Sequence, residues 1–152
     1  MSKAFTLIEI LITISIAVVL LTTSFLGLSG YRRNQSLDLS SKSITAVLRD
    51  SQTKSMTQQS SKQWGAHFEN TPAGRDFYEI FSGANYAAAS EKLEKVLLPP
   101  GIEFSSPTQD VIFAKVTGLP LSGSASNVTI MIAGDPASSK TISINEQGAI
   151  SN

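Results

Sequence analysis

Few side chains in this sequence could do chemistry, and they are scattered. There is no cysteine, which removes a thiolate nucleophile, a thiolate metal site and a disulfide framework together. His67 is the only histidine. It falls out of phase with Trp64, Ala66 and Phe68, so a strand here puts it on the opposite face, turned to solvent and with no catalytic or ligand role. Asp110, Asp135, Glu69 and Asp76 stand singly in predicted loops or at strand ends, without the alternating spacing of a calcium loop. The run from Gly118 to Ser124 lacks the lysine and the strand-to-helix setting of a phosphate loop, and reads as a flexible hairpin loop. Asn127-Val128-Thr129 fits a glycosylation acceptor by pattern but opens a predicted strand. Trp64 and Phe68 read as core rather than as a binding platform. The expectation is no catalytic residue, no metal ligand and no cofactor, hence not an enzyme.

One carboxylate is out of place. From Ile10 to Leu28 the chain carries no charge, and Glu9 sits at the head of that run. At 1.5 Å rise per residue, a helix of about 20 apolar residues spans the roughly 30 Å hydrocarbon layer. Ile10, Ile12, Ile14, Ile16, Val18 and Val19 would suit a strand in water, but lipid demands that backbone groups be satisfied within the segment, so helix is predicted. A carboxylate costs about 2.5 to 3.5 kcal/mol at the centre of a membrane helix and less near its end. Neither a plain anchor nor a secretory signal cut near Gly27-Leu28-Ser29-Gly30 uses one. An ionisable residue in such a run is a functional hypothesis in its own right.

Lys3-Ala4-Phe5-Thr6-Leu7-Ile8-Glu9 resembles the signal of type IV prepilins. In that family a membrane-embedded aspartyl peptidase removes a short basic leader and methylates the new terminus. The resemblance implies cleavage between Ala4 and Phe5, N-methylation of Phe5, and filament assembly through Glu9, then the fifth residue of the mature chain. Its carboxylate would meet the α-amine of Phe5 on a neighbouring subunit, an ion pair in low dielectric that sets register. Ala4 stands where the family usually has glycine, which implies slower processing. The charges flanking the run, Lys3 on one side and Arg32 and Arg33 on the other, do not orient it. The resemblance implies a single-pass protein of the bacterial inner membrane with its C-terminal domain outside the cytoplasm.

Beyond Gly30 the helical period continues, with Leu37, Ile44, Val47, Leu48, Ser51 and Ser55 on one face and Arg49, Asp50, Gln52 and Gln59 on others. This amphipathic stretch should pack on the body's own sheet and end at Ser60 and Ser61. Strands are predicted around Trp64–Phe68 and Tyr78–Ile80, with Asn70-Thr71-Pro72-Ala73-Gly74 as the turn between them. Residues 87–98 read as a loop or helical turn followed by a strand. Further strands are predicted at Ile102–Phe104, Val111–Val116, Val128–Ala133, Lys140–Asn145 and Ala149–Ser151, with hairpin signals at Gly134-Asp135-Pro136 and Glu146-Gln147-Gly148. The fold class is α+β: a long N-terminal helix, its first half transmembrane, packed on one C-terminal antiparallel sheet. The boundaries are 1–4 leader, 5–29 transmembrane helix, 30–61 amphipathic continuation and 62–152 β-rich domain.

The order of the body resembles the H-type minor pseudopilins of type II secretion and their relatives in type IV pili. The carrying residues are Phe113-Ala114-Lys115-Val116-Thr117-Gly118, Thr129-Ile130-Met131-Ile132, and Thr141-Ile142-Ser143-Ile144-Asn145 with Gly148 three residues on. The resemblance implies a minor structural subunit of a pilus or pseudopilus. Its partners would be other pilin or pseudopilin subunits, prepilin peptidase, an inner-membrane assembly platform and membrane lipid. Nucleic acid is not expected: 12 basic residues balance 12 acidic ones, and the tail from Lys140 to Asn152 holds one lysine and one glutamate. The alternative is a membrane-anchored binding module, for DNA uptake or a surface ligand, that uses the helix only as a tether.

Overall fold

The structure of the chain, a computed structural model, describes residues 6–121 and 126–152, with backbone alone for 23–29. Among the described residues a long helix, α1 (Leu7–Met56), is followed by a short 3-10 turn (Gln59–Ser61) and nine strands. The chain divides into two compact units, Met1–Arg33 and Asn34–Asn152.

In the first unit every described side chain of α1 is exposed, including Leu7 at 82% and Leu21 at 71%. The helix forms here despite its β-branched residues, and its hydroxyls turn inward onto its own carbonyls. Thr13 Oγ1 donates to Ile10 O at 2.8 Å, Ser15 Oγ to Leu11 O at 2.8 Å and Thr22 Oγ1 to Val19 O at 2.9 Å. Among the described residues, which leave out the side chains of 23–29, no helix is long and apolar enough to cross a membrane.

In the second unit the predicted face of α1 is the buried one. Leu37, Ser40, Ser41, Ile44, Thr45, Leu48, Ser51 and Ser55 are buried, and Val47 packs at the margin. The helix ends earlier than expected, at Met56, because Gln58 adopts a left-handed conformation (φ 52°) and Ser60 and Ser61 follow with positive φ. Only the 3-10 turn reaches Ser61.

The body holds two antiparallel sheets, which corrects the expectation of one. In the first, β1 (Trp64–Glu69) lies between β2 (Phe77–Ser82) and β6 (Gln109–Phe113). The two-residue strands β3 (Glu91–Lys92) and β4 (Val96–Leu97) both pair with β2. These short strands replace the single strand expected in residues 87–98. The second sheet runs β5 (Ile102–Phe104), β7 (Asn127–Ile132), β8 (Asp135–Ile144), β9 (Ile150–Ser151).

Strand alternation determines what the second sheet buries: Val128, Ile130, Ile132, Ile142 and Ile144 go in, while Thr129, Met131 and Ser143 do not. Leu37, Ile44 and Leu48 of α1, Ala66, Phe68, Tyr78, Val111 and Phe113 of the first sheet, and the apolar row of the second form one core. Two strand ends differ from expectation. The strand read as Val111–Val116 stops at Phe113, since Val116 turns to φ 69° and donates its N–H to Ser55 O at 3.2 Å. β8 starts at Asp135, so the hairpin turn is Ala133-Gly134 and Pro136 lies inside a strand, away from the Ser143 and Ile144 pairings with β9.

Candidate functional site

Two of the residues expected to matter at the N-terminus, Ala4 and Phe5, lie outside the described residues. Glu9 sits in the first turn of α1, exposed, with no cation within ion-pair distance among the described residues. Its N–H donates to Thr6 O at 3.1 Å and lies 3.3 Å from Thr6 Oγ1. Thr6 is therefore the N-cap, and Thr6-Leu7-Ile8-Glu9 has the spacing of a capping box, of which the structure shows the threonine half. The threonine-x-x-glutamate pattern was available in the sequence and marks where α1 starts. It also places the carboxylate at the positive end of the helix dipole.

A second cluster lies on the outer face of the first sheet. His67 does face away from Trp64, Ala66 and Phe68, but it is 4% exposed, which corrects its placement in solvent. Its Nδ1 lies 2.6 Å from Asp110 Oδ1 and its Nε2 lies 2.9 Å from Glu69 Oε2. The cover is Tyr86, whose ring stacks on the imidazole with centroids 3.6 Å apart and planes 3° apart. Tyr86 donates its backbone N–H to Asp110 Oδ2 at 3.1 Å and its hydroxyl to Glu79 Oε2 at 2.9 Å. Burial, and then the hydrogen bond to Glu79, push the Tyr86 hydroxyl up to about 12, so it remains a donor.

The structure thus brings together His67, Glu69 and Asp110, which the sequence presented as isolated. Asp76 is apart from them and structural, accepting the N–H groups of Thr71 at 2.8 Å and Phe104 at 2.6 Å. Asp135 opens β8, exposed. Glu79 and Tyr86 were missed. Glu79 was readable in principle, because alternation along Phe77–Ser82 places it on the face away from Tyr78 and Ile80. Tyr86 sits in a loop where no periodicity applies. Both ring nitrogens of His67 are taken by carboxylates, and the Tyr86 loop is tied to the same cluster through Asp110 and Glu79.

A third junction joins the two glycines of the body pattern. Gln52 Nε2 donates to Gly118 O and to Gly148 O, each at 2.8 Å. Both glycines have positive φ, 65° and 79°. A Cβ on Gly118 would come within 2.6 Å of Met56 Cγ, and one on Gly148 within 2.8 Å of the Gln52 nitrogen. Glycine is required here by conformation and by space.

No protein-family model matches the chain, and no curated protein matches it either. Among solved structures, the type IV minor pilin FimU of Pseudomonas aeruginosa aligns over 76% of this chain and 90% of its own, with a TM-score of 0.56 and 14% identity. With its N-terminal helix and antiparallel sheets, the chain has a pilin-like fold.

Proposed function

We propose that the chain is a non-enzymatic structural subunit of a type IV pilus or a related secretion pseudopilus, matured between Ala4 and Phe5 and assembled through its N-terminal helix. The observation that carries this reading is the first unit: a helix whose apolar side chains, from Leu7 to Leu21, are exposed all round, with one carboxylate at its head. Water does not stabilise such a surface, and lipid followed by neighbouring helices in a filament does. The pilin-like fold supports it, the structural neighbour being itself a type IV minor pilin. In this reading Phe5 becomes the methylated terminus, and Glu9 pairs with the Phe5 amine of an adjacent subunit. The body lies outside the cytoplasm, with prepilin peptidase and an inner-membrane platform as the assembly partners.

Mass spectrometry of the chain extracted from cells that contain a prepilin peptidase tests the maturation. A mature mass beginning at methylated Phe5 is expected, and an intact leader would overturn it. Replacing residues 5–28 with an unrelated apolar anchor tests the assembly role. Loss of incorporation into filaments is expected, and full function with a foreign anchor would show the helix to be only a tether.

A further inference from the structure

We propose that Tyr31, Arg32 and Arg33 form an interfacial collar, in which the two guanidiniums bind the headgroup phosphates of anionic phospholipid at the C-terminal edge of the apolar run. The proposal rests on the reading of the first helix as lipid-embedded and names the lipid it prefers. The uncharged stretch runs from Ile10 to Leu28. At 1.5 Å per residue it is about 28 Å of helix, close to the roughly 30 Å hydrocarbon layer. Tyr31, Arg32 and Arg33 follow on the same helix. They stand about 5–8 Å beyond the end of the run, which is the depth of the headgroup layer on one side of a bilayer of about 40–45 Å in all.

All three side chains are exposed, Tyr31 at 66%. Neither arginine takes part in an ion pair among the described residues. No aspartate or glutamate stands within four residues of either, the reach of a side-chain pair along a helix. The next acid, Asp38, is already held by Lys42 and Lys140. Two unpaired charges beside a low-dielectric layer attract phosphate, and a planar guanidinium takes phosphate oxygens two at a time. Cleavage before Phe5 removes Lys3 as well, which leaves this pair as the basic side chains bordering the run.

Lipid fits this collar better than a neighbouring helix does. Successive residues of a helix point about 100° apart, so Tyr31, Arg32 and Arg33 together span more than half of its circumference. One packed helix covers a single stripe, whereas headgroups surround the helix and meet all three side chains. A second copy of α1 also has no carboxylate to spare: Asp38 and Asp50 are held by Lys42 and Lys54, and Glu9 is assigned to the Phe5 amine. The tyrosine suits the same level, with its ring against the acyl edge and its hydroxyl among the headgroups.

Electron spin resonance of the full-length chain in phosphatidylcholine bilayers, with a trace of spin-labelled phosphatidylglycerol or spin-labelled phosphatidylcholine, tests the collar. The ratio of motionally restricted lipid for the two labels gives the headgroup preference. The wild type is expected to favour the phosphatidylglycerol label about fivefold at low salt, the gain from one basic side chain near an anionic headgroup. The preference should fall towards one at about 1 M salt. The double variant Arg32→Gln/Arg33→Gln should lose it, and Arg32→Lys/Arg33→Lys, which keeps the charge, should retain most of it. Equal restriction of both labels, or a preference that survives Arg32→Gln/Arg33→Gln, would overturn the collar and leave the helix in lipid. A chain that restricts neither label would overturn the collar and the lipid-embedded reading together.

Discussion

Gln52 and Gly148, far apart in sequence, meet at 2.8 Å through the glutamine amide and the glycine carbonyl, and the same nitrogen also serves Gly118. One side chain of α1 thus ties two loops that close opposite sheets of the body. Gln52→Ala leaves both half-buried carbonyls short of a donor and is expected to cost about 1–3 kcal/mol. Gly148→Ala adds a strained backbone and a collision with the amide, and should cost at least about 1 kcal/mol. Chemical denaturation of each variant against the wild type measures both. Wild-type midpoints would show that the junction carries no stability.

Ser55 makes a second tie. Its hydroxyl accepts the Trp64 N–H at 2.7 Å and lies 3.0 Å from Phe113 O and 3.1 Å from Trp64 O, while its own carbonyl accepts Val116 N–H. Ser55→Ala strips a buried N–H of its acceptor, and a loss of about 1–3 kcal/mol is expected. Faster amide exchange at Trp64 in the variant would locate the loss at this contact.

Asp38 bridges Lys140 at 2.5 Å and Lys42 at 2.6 Å. The hydrogen bond from Lys140, then that from Lys42, hold its carboxyl down to about 2 from an ordinary 3.8. A lowered carboxylate stabilises the fold above its unfolded value, and the contribution is lost as pH falls through the folded one. The difference in melting temperature between wild type and Asp38→Asn should be full above about pH 4 and should shrink towards zero by about pH 2. A difference that stays constant through this range would assign the effect to packing instead of charge.

Thr6 has a local role as the cap and Glu9 a proposed one between subunits, and two variants separate them. Glu9→Gln retains the hydrogen-bonding shape of a capping box and removes the charge, so insertion and exchange protection at Glu9 and Ile10 should persist while filament incorporation fails. Thr6→Ala removes the cap hydroxyl, at about 1 kcal/mol of local helix stability, and should leave incorporation intact. Normal incorporation of Glu9→Gln would remove the intersubunit ion pair from the account.

Much of the body was legible because alternation of period two is a local property. Val128, Ile130, Ile132, Ile142 and Ile144 declare their inward face without reference to any partner. Which strands become neighbours is not local, and the division into two sheets was invisible for that reason. Val116 reads as strand by its β-branched side chain, yet its bond to Ser55 O turns it to positive φ.

By itself, the sequence determined an apolar helix headed by Glu9, the buried stripe Leu37–Ser55 and the inward rows of the strands, because each follows from the repeat of its own segment. Tertiary structure decided the rest. His67 was assigned the correct face and the wrong surroundings, since the loop carrying Tyr86 covers that face, and Glu69 and Asp110 converge on one ring only once β1 and β6 are paired. Spacing along a chain specifies which way a side chain points, whereas the chemistry of a site depends on what the fold brings up against it.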